Sequence, residues 1–116
     1  MDKIIMDLNK KIKNKQLKVA VIGLGYVGFP LALEFVKKKI KVVGIEIDTD
    51  RLKSIAQRKS YISDISNQEL IAALASGYFK ASKSFADIAH ADAVLICVPT
   101  PLKGKYLPDI SFKGMR

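Results

Sequence analysis

Three glycines near the start of the chain form the pattern in this sequence that is best suited to chemistry. Gly23, Gly25 and Gly28 are spaced as G-x-G-x-x-G and directly follow an apolar run. Gly23 allows a tight turn, Gly25 lets the backbone approach a phosphate, and Gly28 lets a helix pack close to a sheet. The N-terminus of that helix offers unpaired N–H groups and a positive dipole end. The pattern therefore predicts a site for the pyrophosphate of a dinucleotide.

The residues around the glycines predict the strand and the helix that such a turn connects. Residues 19–22 are uniformly apolar, as in strands that are buried on both faces. Apolar residues then recur at helical spacing at Leu31, Ala32, Phe35 and Val36. Pro30 is compatible with this helix, because the first turn has no intrahelical partner for the missing N–H. The lysine run at 37–39 suits the negative end of the helix dipole.

A second apolar run, residues 42–45, leads into an acidic residue that extends the pattern. Glu46 lies roughly 20 residues after the glycines, where an acidic side chain usually accepts hydrogen bonds from the adenosine ribose. A carboxylate there repels a 2′-phosphate, so Glu46 favours NAD over NADP. Two alternatives stay open: Glu46 is a solvated acid, or Asp48 takes the ribose role. Arg51 can accommodate a 2′-phosphate, stack on adenine or pair with Asp48.

The rest of the chain alternates helix and strand signals, which is typical of a parallel α/β sheet. One helix is predicted over 50–58, with Leu52, Ile55 and Ala56 facing inward. A second is predicted over 70–75, where a capping box of Ser66 and Glu69 marks its start and Gly77 its end. A single helical turn is predicted at 85–88. The strand signals are the runs 79–82 and 93–98. We expect an incomplete Rossmann-like sheet of about four strands, in the order 3-2-1-4, with helices on both faces.

The last strand leads into Pro99-Thr100-Pro101, at the edge of the sheet where ligands bind. Parallel α/β sheets hold ligands beyond the carboxyl ends of their strands, near the switch point between strands one and four. The Thr100 hydroxyl would border the nicotinamide ribose there, or Thr100 simply fills the turn between two prolines. Cys97 precedes this turn within the apolar run and is predicted to be a core residue.

Composition excludes several other classes of protein. The 116 residues are 49% hydrophobic without an apolar run of about 18 residues, which predicts one domain and no membrane span. The charged leading residues do not form a secretory signal, so we expect a cytoplasmic location. The net charge of +9 does not favour nucleic-acid binding, because the lysines are scattered and lack interleaved aromatic residues. The single cysteine excludes a disulfide framework and a multi-cysteine metal site, and the isolated His90 is assigned no role.

Four segments together are more specific than the glycines alone: GLGYVGFPLA, GIEID followed by Arg51, ADAVLICVPTPL, and Pro108-Asp109. This combination resembles the N-terminal part of the UDP-glucose/GDP-mannose dehydrogenase family over residues 18–112. The resemblance implies an enzyme that oxidises the C6 hydroxyl of a nucleotide sugar to a carboxylate with two NAD⁺ in succession. The leading tail, GLGYVG and SYISDIS are most similar to the UDP-N-acetylglucosamine 6-dehydrogenase branch of polysaccharide biosynthesis.

The resemblance also implies roles for individual residues. Tyr26 and Val27 would lie against the dinucleotide within the glycine turn. Glu46 would hold the adenosine ribose, Arg51 would flank the adenosine end, and Thr100 would contact the cofactor.

The chain departs from the family pattern in three respects. Glu46 stands where Asp is more usual, so its carboxylate reaches one methylene further. Phe29 stands where Leu is usual, and we expect it to pack on the helix side, away from the cofactor. The sugar-binding domain, with the family's nucleophilic cysteine, lies outside these residues, and Cys97 cannot replace that cysteine from inside a strand. The chain alone is therefore expected to be inactive, and the nucleotide sugar to bind only the full-length enzyme.

We expect three segments along the chain. Residues 1–17 form a tail with a short amphipathic helix, on which Ile4, Leu8 and Ile12 share a face. Residues 18–112 form the partial dinucleotide-binding domain, and 113–116 lie outside the family pattern. The fourth strand then has an open edge, whose unpaired backbone groups favour self-association.

Two other classes of function fit part of the pattern. A non-enzymatic nucleotide-binding regulatory module has a similar length and the same glycine and acid signals, but the VPTP segment argues against it. A methyltransferase that uses S-adenosylmethionine has a similar glycine-rich turn, but its cofactor contains no pyrophosphate to engage the full G-x-G-x-x-G.

Overall fold

The computed structural model describes residues 16–98. Within that range the chain forms four strands, three α-helices and one 3₁₀ helix. In chain order they are β1 (Lys18–Ile22), α1 (Gly28–Lys37), β2 (Lys41–Ile45), α2 (Thr49–Ala56), α3 (Asn67–Ser76), β3 (Phe79–Ser82), the 3₁₀ helix (Phe85–His90) and β4 (Ala93–Ile96). The predicted N-terminal helix, Thr100, Pro108-Asp109 and residues 113–116 lie outside the described residues.

The four strands form one parallel sheet in the order β3-β2-β1-β4. Val19 in β1 is aligned with Val42 in β2 on one side and with Ala93 in β4 on the other. This arrangement confirms the predicted sheet and strand order. The carboxyl ends of β1 and β4 are therefore adjacent, with the end of β2 on the other side of β1.

The main core lies on the face of the sheet that carries the three α-helices. Val19 and Val21 of β1 belong to a single buried cluster with residues from every α-helix, among them Phe29, Ile55 and Leu70. The opposite face carries the 3₁₀ helix, where Asp87 accepts a hydrogen bond from Ser82 at the end of β3. Helices thus lie on both faces, as predicted, but the two layers differ greatly in size. None of the helices within residues 16–98 is long and apolar enough to cross a membrane.

The predicted helix caps are confirmed. The Ser66 hydroxyl accepts the Glu69 N–H at 3.0 Å while the Glu69 carboxylate accepts the Ser66 N–H at 2.9 Å, which completes the capping box. The pKa of the Glu69 carboxyl is lowered, chiefly by the hydrogen bond that the Ser66 backbone N–H donates to it and secondly by the hydrogen bond from the Lys37 side chain. Gly77 ends α3 in the left-handed conformation, with φ +81°.

Several details of the second half differ from the prediction. Helix α2 ends at Ala56, and that side chain is exposed, because the helix packs through Ile55 instead. The polar loop after α2 contributes two buried side chains, Ile62 and Ile65, to the core. Strand β4 ends at Ile96 rather than continuing to Val98, although the Cys97 N–H still donates to the Ile22 carbonyl at 2.7 Å. Cys97 itself is half-buried at the margin of the core.

Candidate dinucleotide site

The glycine turn connects β1 to α1 in a conformation that requires two of its glycines. Gly23 has φ +97°, and its N–H donates to the Ile45 carbonyl at the end of β2 at 2.8 Å. A Cβ at Gly23 would lie 2.9 Å from the Cys97 carbonyl oxygen, and a Cβ at Gly28 would overlap the Gly23 carbonyl. The turn therefore brings the start of α1 against the ends of β1 and β4.

The start of α1 carries backbone N–H groups that are not used within the described residues. The helix begins at Gly28, and Val27 before it supplies no side-chain cap. The Phe29 N–H donates to the Gly25 carbonyl at 3.1 Å, but within residues 16–98 the N–H groups of Tyr26, Val27 and Gly28 have no acceptor. The Tyr26 and Val27 side chains are exposed, Tyr26 to 75%. These donors, at the positive end of the helix dipole, fit the pyrophosphate of a dinucleotide.

Glu46 lies directly after β2 and is a buried residue, only 5% exposed. Its Oε1 accepts the Leu24 N–H of the glycine turn at 2.8 Å, and its Oε2 accepts the Asp48 N–H at 3.0 Å. The Arg51 guanidinium lies 3.4 Å from Oε1. The interpretation of Glu46 as a solvated acid is therefore wrong, because the carboxylate is buried and holds the turn.

Asp48 and Arg51 are held at the start of α2. The Asp48 Oδ1 accepts the N–H groups of Asp50 and Arg51, at 2.9 and 3.3 Å, so Asp48 caps the helix. The carboxylates of Asp48 and Glu46 both accept backbone N–H groups, so the assignment of the ribose role to Glu46 rather than Asp48 stays a prediction. The Arg51 Nε lies 3.9 Å from the Asp48 carboxylate, so the predicted pairing of these two residues is present.

Arg51 also lies above the glycine turn. Among residues 16–98, its Nη1 would be the nearest atom to a Cβ at Gly25, at 3.4 Å, so the guanidinium covers that glycine. A half-buried guanidinium beside the turn is well placed to contact the adenosine end of a dinucleotide or its phosphates. The structure thus brings Arg51, Glu46 and the glycine turn together at one edge of the sheet.

Sequence reasoning missed Tyr61, which belongs to the same site. Its hydroxyl donates to the Leu24 carbonyl at 2.6 Å, and its ring stacks on Phe29 with the centroids 5.1 Å apart. The Arg51 guanidinium carbon lies 5.6 Å from the Tyr61 ring centroid. Burial, and then the negative charge of Glu46, raises the pKa of the Tyr61 phenol. The only signal in the sequence was a tyrosine within the polar SYISDIS loop.

All but one of the site residues predicted from the sequence lie within the residues that the structure describes. Seven lie around the turn between β1 and α1: Gly23, Gly25, Tyr26, Val27, Gly28, Glu46 and Arg51. Thr100 lies outside the described residues, so its cofactor contact stays a prediction. Phe29 is fully buried beneath Tyr61, as expected for packing on the helix side.

Residues 17–114 match the UDP-glucose/GDP-mannose dehydrogenase family, NAD binding domain. Among similar proteins, the UDP-N-acetyl-D-mannosamine dehydrogenase of Campylobacter jejuni is 40% identical over 104 residues, which cover 88% of this chain and 25% of that protein. The UDP-N-acetyl-D-glucosamine 6-dehydrogenase of Pseudomonas aeruginosa is 36% identical over 97 residues, covering 84% of this chain and 22% of the relative. The chain thus spans about a quarter of the length of these relatives.

Solved structures give the same result. The UDP-D-ManNAc dehydrogenase of Pyrococcus horikoshii superposes with a TM-score of 0.72 at 33% identity, covering 82% of this chain and 23% of that one. A GDP-mannose dehydrogenase from Pseudomonas aeruginosa superposes with a TM-score of 0.69 at 26% identity, covering 78% and 22%. Sequence and fold therefore place the described sheet among the cofactor-binding domains of nucleotide-sugar dehydrogenases.

Proposed function

Because the chain belongs to the UDP-glucose/GDP-mannose dehydrogenase family, we propose that it forms the NAD-binding N-terminal part of a nucleotide-sugar 6-dehydrogenase. The family domain binds NAD, which accepts hydride from the substrate when it is bound. Oxidation of the sugar would need the remainder of such an enzyme, because residues 17–114 match the NAD binding domain of the family and the match covers 25% of the Campylobacter jejuni relative.

The buried carboxylate of Glu46 beside the glycine turn is the main structural support for this proposal. Its two oxygens are fixed by the Leu24 and Asp48 N–H groups, so the negative charge has a defined position. A ribose 2′-hydroxyl can donate to such a carboxylate, whereas a 2′-phosphate would be repelled. Glu46 would thus select NAD over NADP.

The surrounding residues would hold the other parts of the cofactor. The N–H groups of Tyr26, Val27 and Gly28 would bind the pyrophosphate, because they lie at the positive end of α1 and have no acceptor within residues 16–98. Arg51 would contact the adenosine end, where its charge is already balanced by Glu46 and Asp48. That balance makes Arg51 a poor ligand for an additional 2′-phosphate, which agrees with selection of NAD.

We propose a UDP-N-acetylhexosamine as the sugar substrate of the complete enzyme. The motifs of the sequence favour UDP-N-acetylglucosamine or UDP-glucose, and similar proteins include dehydrogenases of UDP-N-acetyl-D-mannosamine and of UDP-N-acetyl-D-glucosamine. The uronate product would serve as a polysaccharide precursor in the cytoplasm. A non-enzymatic nucleotide-binding module is the alternative, since the described site contains groups that bind a dinucleotide.

Titration of the purified chain with NAD⁺ and NADP⁺ tests the proposed role of Glu46. We expect NAD⁺ to bind more tightly, and Glu46→Gln, which removes the charge but keeps an acceptor oxygen, to narrow the difference in affinity. Glu34→Gln is the matched control, because Glu34 is an exposed residue of α1 paired with Lys38 and should leave both affinities unchanged. Equal affinity of the unmodified chain for both nucleotides would contradict the proposal.

Sequencing the DNA beyond the Arg116 codon in all three frames distinguishes the enzyme from the module. Further strands followed by a cysteine-bearing sugar domain would support the enzyme, and no such sequence in any frame would favour the module. The complete enzyme is then assayed for NADH formation with UDP-N-acetylglucosamine, UDP-N-acetylmannosamine and UDP-glucose. Turnover of UDP-glucose alone would contradict the proposed substrate class.

A further inference from the structure

We propose that Tyr61 is a positioning residue that fixes the peptide between Leu24 and Gly25 in the orientation that pyrophosphate binding requires. The inference rests on the proposed NAD site, and it assigns a function to a loop residue that belongs to neither the glycine motif nor the acidic position after β2. The basis of this inference is the pair of side-chain hydrogen bonds that hold the backbone of Leu24.

Side chains hold both polar backbone groups of Leu24. The Glu46 carboxylate accepts the Leu24 N–H at 2.8 Å, and the Tyr61 hydroxyl donates to the Leu24 carbonyl at 2.6 Å. The Leu24 side chain is fully buried, and its methyl groups occupy the space where a Cβ of Gly44 would lie, with Cδ2 only 2.7 Å from that position. Leu24 is thereby fixed at three points.

The hydrogen bond from Tyr61 has a consequence for the next residue. The Leu24 carbonyl and the Gly25 N–H belong to one planar trans peptide, so they point in opposite directions. Holding the carbonyl on the side of Tyr61 directs the Gly25 N–H away from Tyr61. If this peptide rotated, a carbonyl oxygen would replace an N–H within the turn and would repel a phosphate.

The Tyr61 side chain is itself held in place. Its ring stacks on Phe29, which is fully buried in α1, and the Arg51 guanidinium covers it at 5.6 Å from the centroid. Charged groups from the end of β2 and the start of α2 face the phenol, namely Glu46, Asp48 and Arg51. Burial and the two carboxylates raise the pKa of the phenol, so that it remains a hydrogen-bond donor across the physiological range.

The direct test compares the unmodified chain with Tyr61→Phe, which removes the hydroxyl but keeps the ring on Phe29. Three probes are titrated: NAD⁺, ADP and adenosine. We expect NAD⁺ and ADP, which carry the pyrophosphate, to bind about 5-fold to 10-fold more weakly, as for one lost hydrogen bond. Adenosine affinity should stay unchanged. Tyr78→Phe is the matched control, because Tyr78 lies before β3 at the opposite end of the sheet and should affect no probe.

The possible outcomes separate the two proposals. Unchanged affinity of Tyr61→Phe for NAD⁺ and ADP would overturn the positioning role and leave Tyr61 as a packing residue. Equal weakening for all three probes would also overturn it, since Tyr61 would then act on the adenosine end through Arg51. An unmodified chain that binds no NAD⁺ would instead contradict the proposed function.

A second variant keeps the test valid if Tyr61→Phe does not fold. A fluorinated tyrosine at position 61 keeps the hydroxyl and nearly the same volume, but its phenol loses its proton at a lower pH. We expect its affinity for NAD⁺ to fall as the pH rises, while the unmodified chain binds constantly over the same range. Parallel pH profiles for the two proteins, across a range in which the absorbance of the fluorinated phenol shows that it has lost its proton, would overturn the proposal.

Discussion

The strands β1 and β4 are neighbours of similar apolar composition, yet their side chains are buried to very different extents. Val19 and Val21 of β1 are almost fully buried, and Leu24 just beyond the strand is 0% exposed. In β4, by contrast, Ile96 is 70% exposed and Val94 is 41% exposed. An apolar run therefore predicts a strand, whereas the neighbours of that strand in the fold decide how much of it is buried.

The physical cause is the position of each strand. Strand β1 has a hydrogen-bonded strand on both sides and α1 across one face, whereas within the described residues β4 pairs only with β1. Val94 and Ile96 lie on the face opposite the three α-helices, where the short 3₁₀ helix is the only helical cover in residues 16–98. We therefore expect truncation of a buried side chain near β1 to lower the free energy of unfolding much more than truncation of an exposed side chain in β4.

Leu24→Ala and Ile96→Ala provide the largest contrast. Leu24 fills the space above Gly44, so its truncation should leave a cavity and cost about 3 kcal/mol of unfolding free energy. Ile96→Ala should cost no more than about 0.5 kcal/mol, because the side chain is largely exposed. Urea unfolding followed by circular dichroism measures both. Similar losses for the two variants would show that another surface covers β4 in solution.

Gly28→Ala tests the junction of α1 with the strands. The added Cβ would overlap the Gly23 carbonyl, so the helix must shift, at a cost of about 2 kcal/mol. Gly77→Ala is the matched control, because apart from its own chain neighbours no atom of residues 16–98 lies within 4 Å of its Cβ position, so that the positive φ is what opposes the substitution. The control should lose about 1 kcal/mol. Reversed magnitudes in thermal or urea unfolding would contradict the close packing at the glycine turn.

The Tyr61 phenol should make a smaller contribution to the stability of the fold, and this contribution depends on pH. Because burial raises its pKa in the folded chain, the neutral phenol stabilises the fold fully below about pH 10, the ordinary value for tyrosine. This contribution is lost as the pH rises further. The urea midpoint of the unmodified chain should therefore fall more steeply above that pH than the midpoint of Tyr61→Phe. Parallel declines in the two proteins would contradict a buried hydrogen-bonded phenol.

Ile96→Lys should have almost no effect on unfolding but a measurable one on association. The predicted self-association through the edge of β4 requires apolar contact next to unpaired backbone groups, and a charge disfavours both. Sedimentation velocity at increasing concentration should show less association for this variant than for the unmodified chain. Ile71→Lys, a substitution of another exposed apolar residue in α3, is the control and should associate like the unmodified chain. Equal association of all three proteins would contradict an interface at β4.

Much of the fold could be predicted because local signals agree with the tertiary arrangement. The capping box at Ser66 and the stop at Gly77 depend on neighbours in the sequence, and both are present in the structure. Burial in the second half was harder to predict, because Ile62 and Ile65 lie in a polar loop whose path is determined by packing against the core. The exposure of Ala56 has the same origin, since the direction of α2 decides which of its apolar residues face inward.

The site was predicted where a residue's role depends on the backbone, and missed where it depends on distant packing. The glycines and Glu46 could be placed because a strand-turn-helix unit positions them through chain geometry. Tyr61 could not be placed, because its hydrogen bond to Leu24 spans 37 positions and depends on a loop whose tyrosine stacks on Phe29 of α1. The hydrogen bond from the Leu24 N–H to Glu46 could not be foreseen either, because the sequence suggested only a carboxylate available to a ligand.

The two hydrogen bonds to the Leu24 backbone also have a consequence for the order of folding. They join Leu24 to residues 22 and 37 positions further along the chain, so the glycine motif alone cannot establish its own conformation. Closing such loops has an entropic cost that must be met before the contacts form. We expect the turn to acquire its final shape only after β2 and the loop that follows α2 have docked. A peptide that ends within β2 would carry every glycine of the motif and still lack the binding conformation.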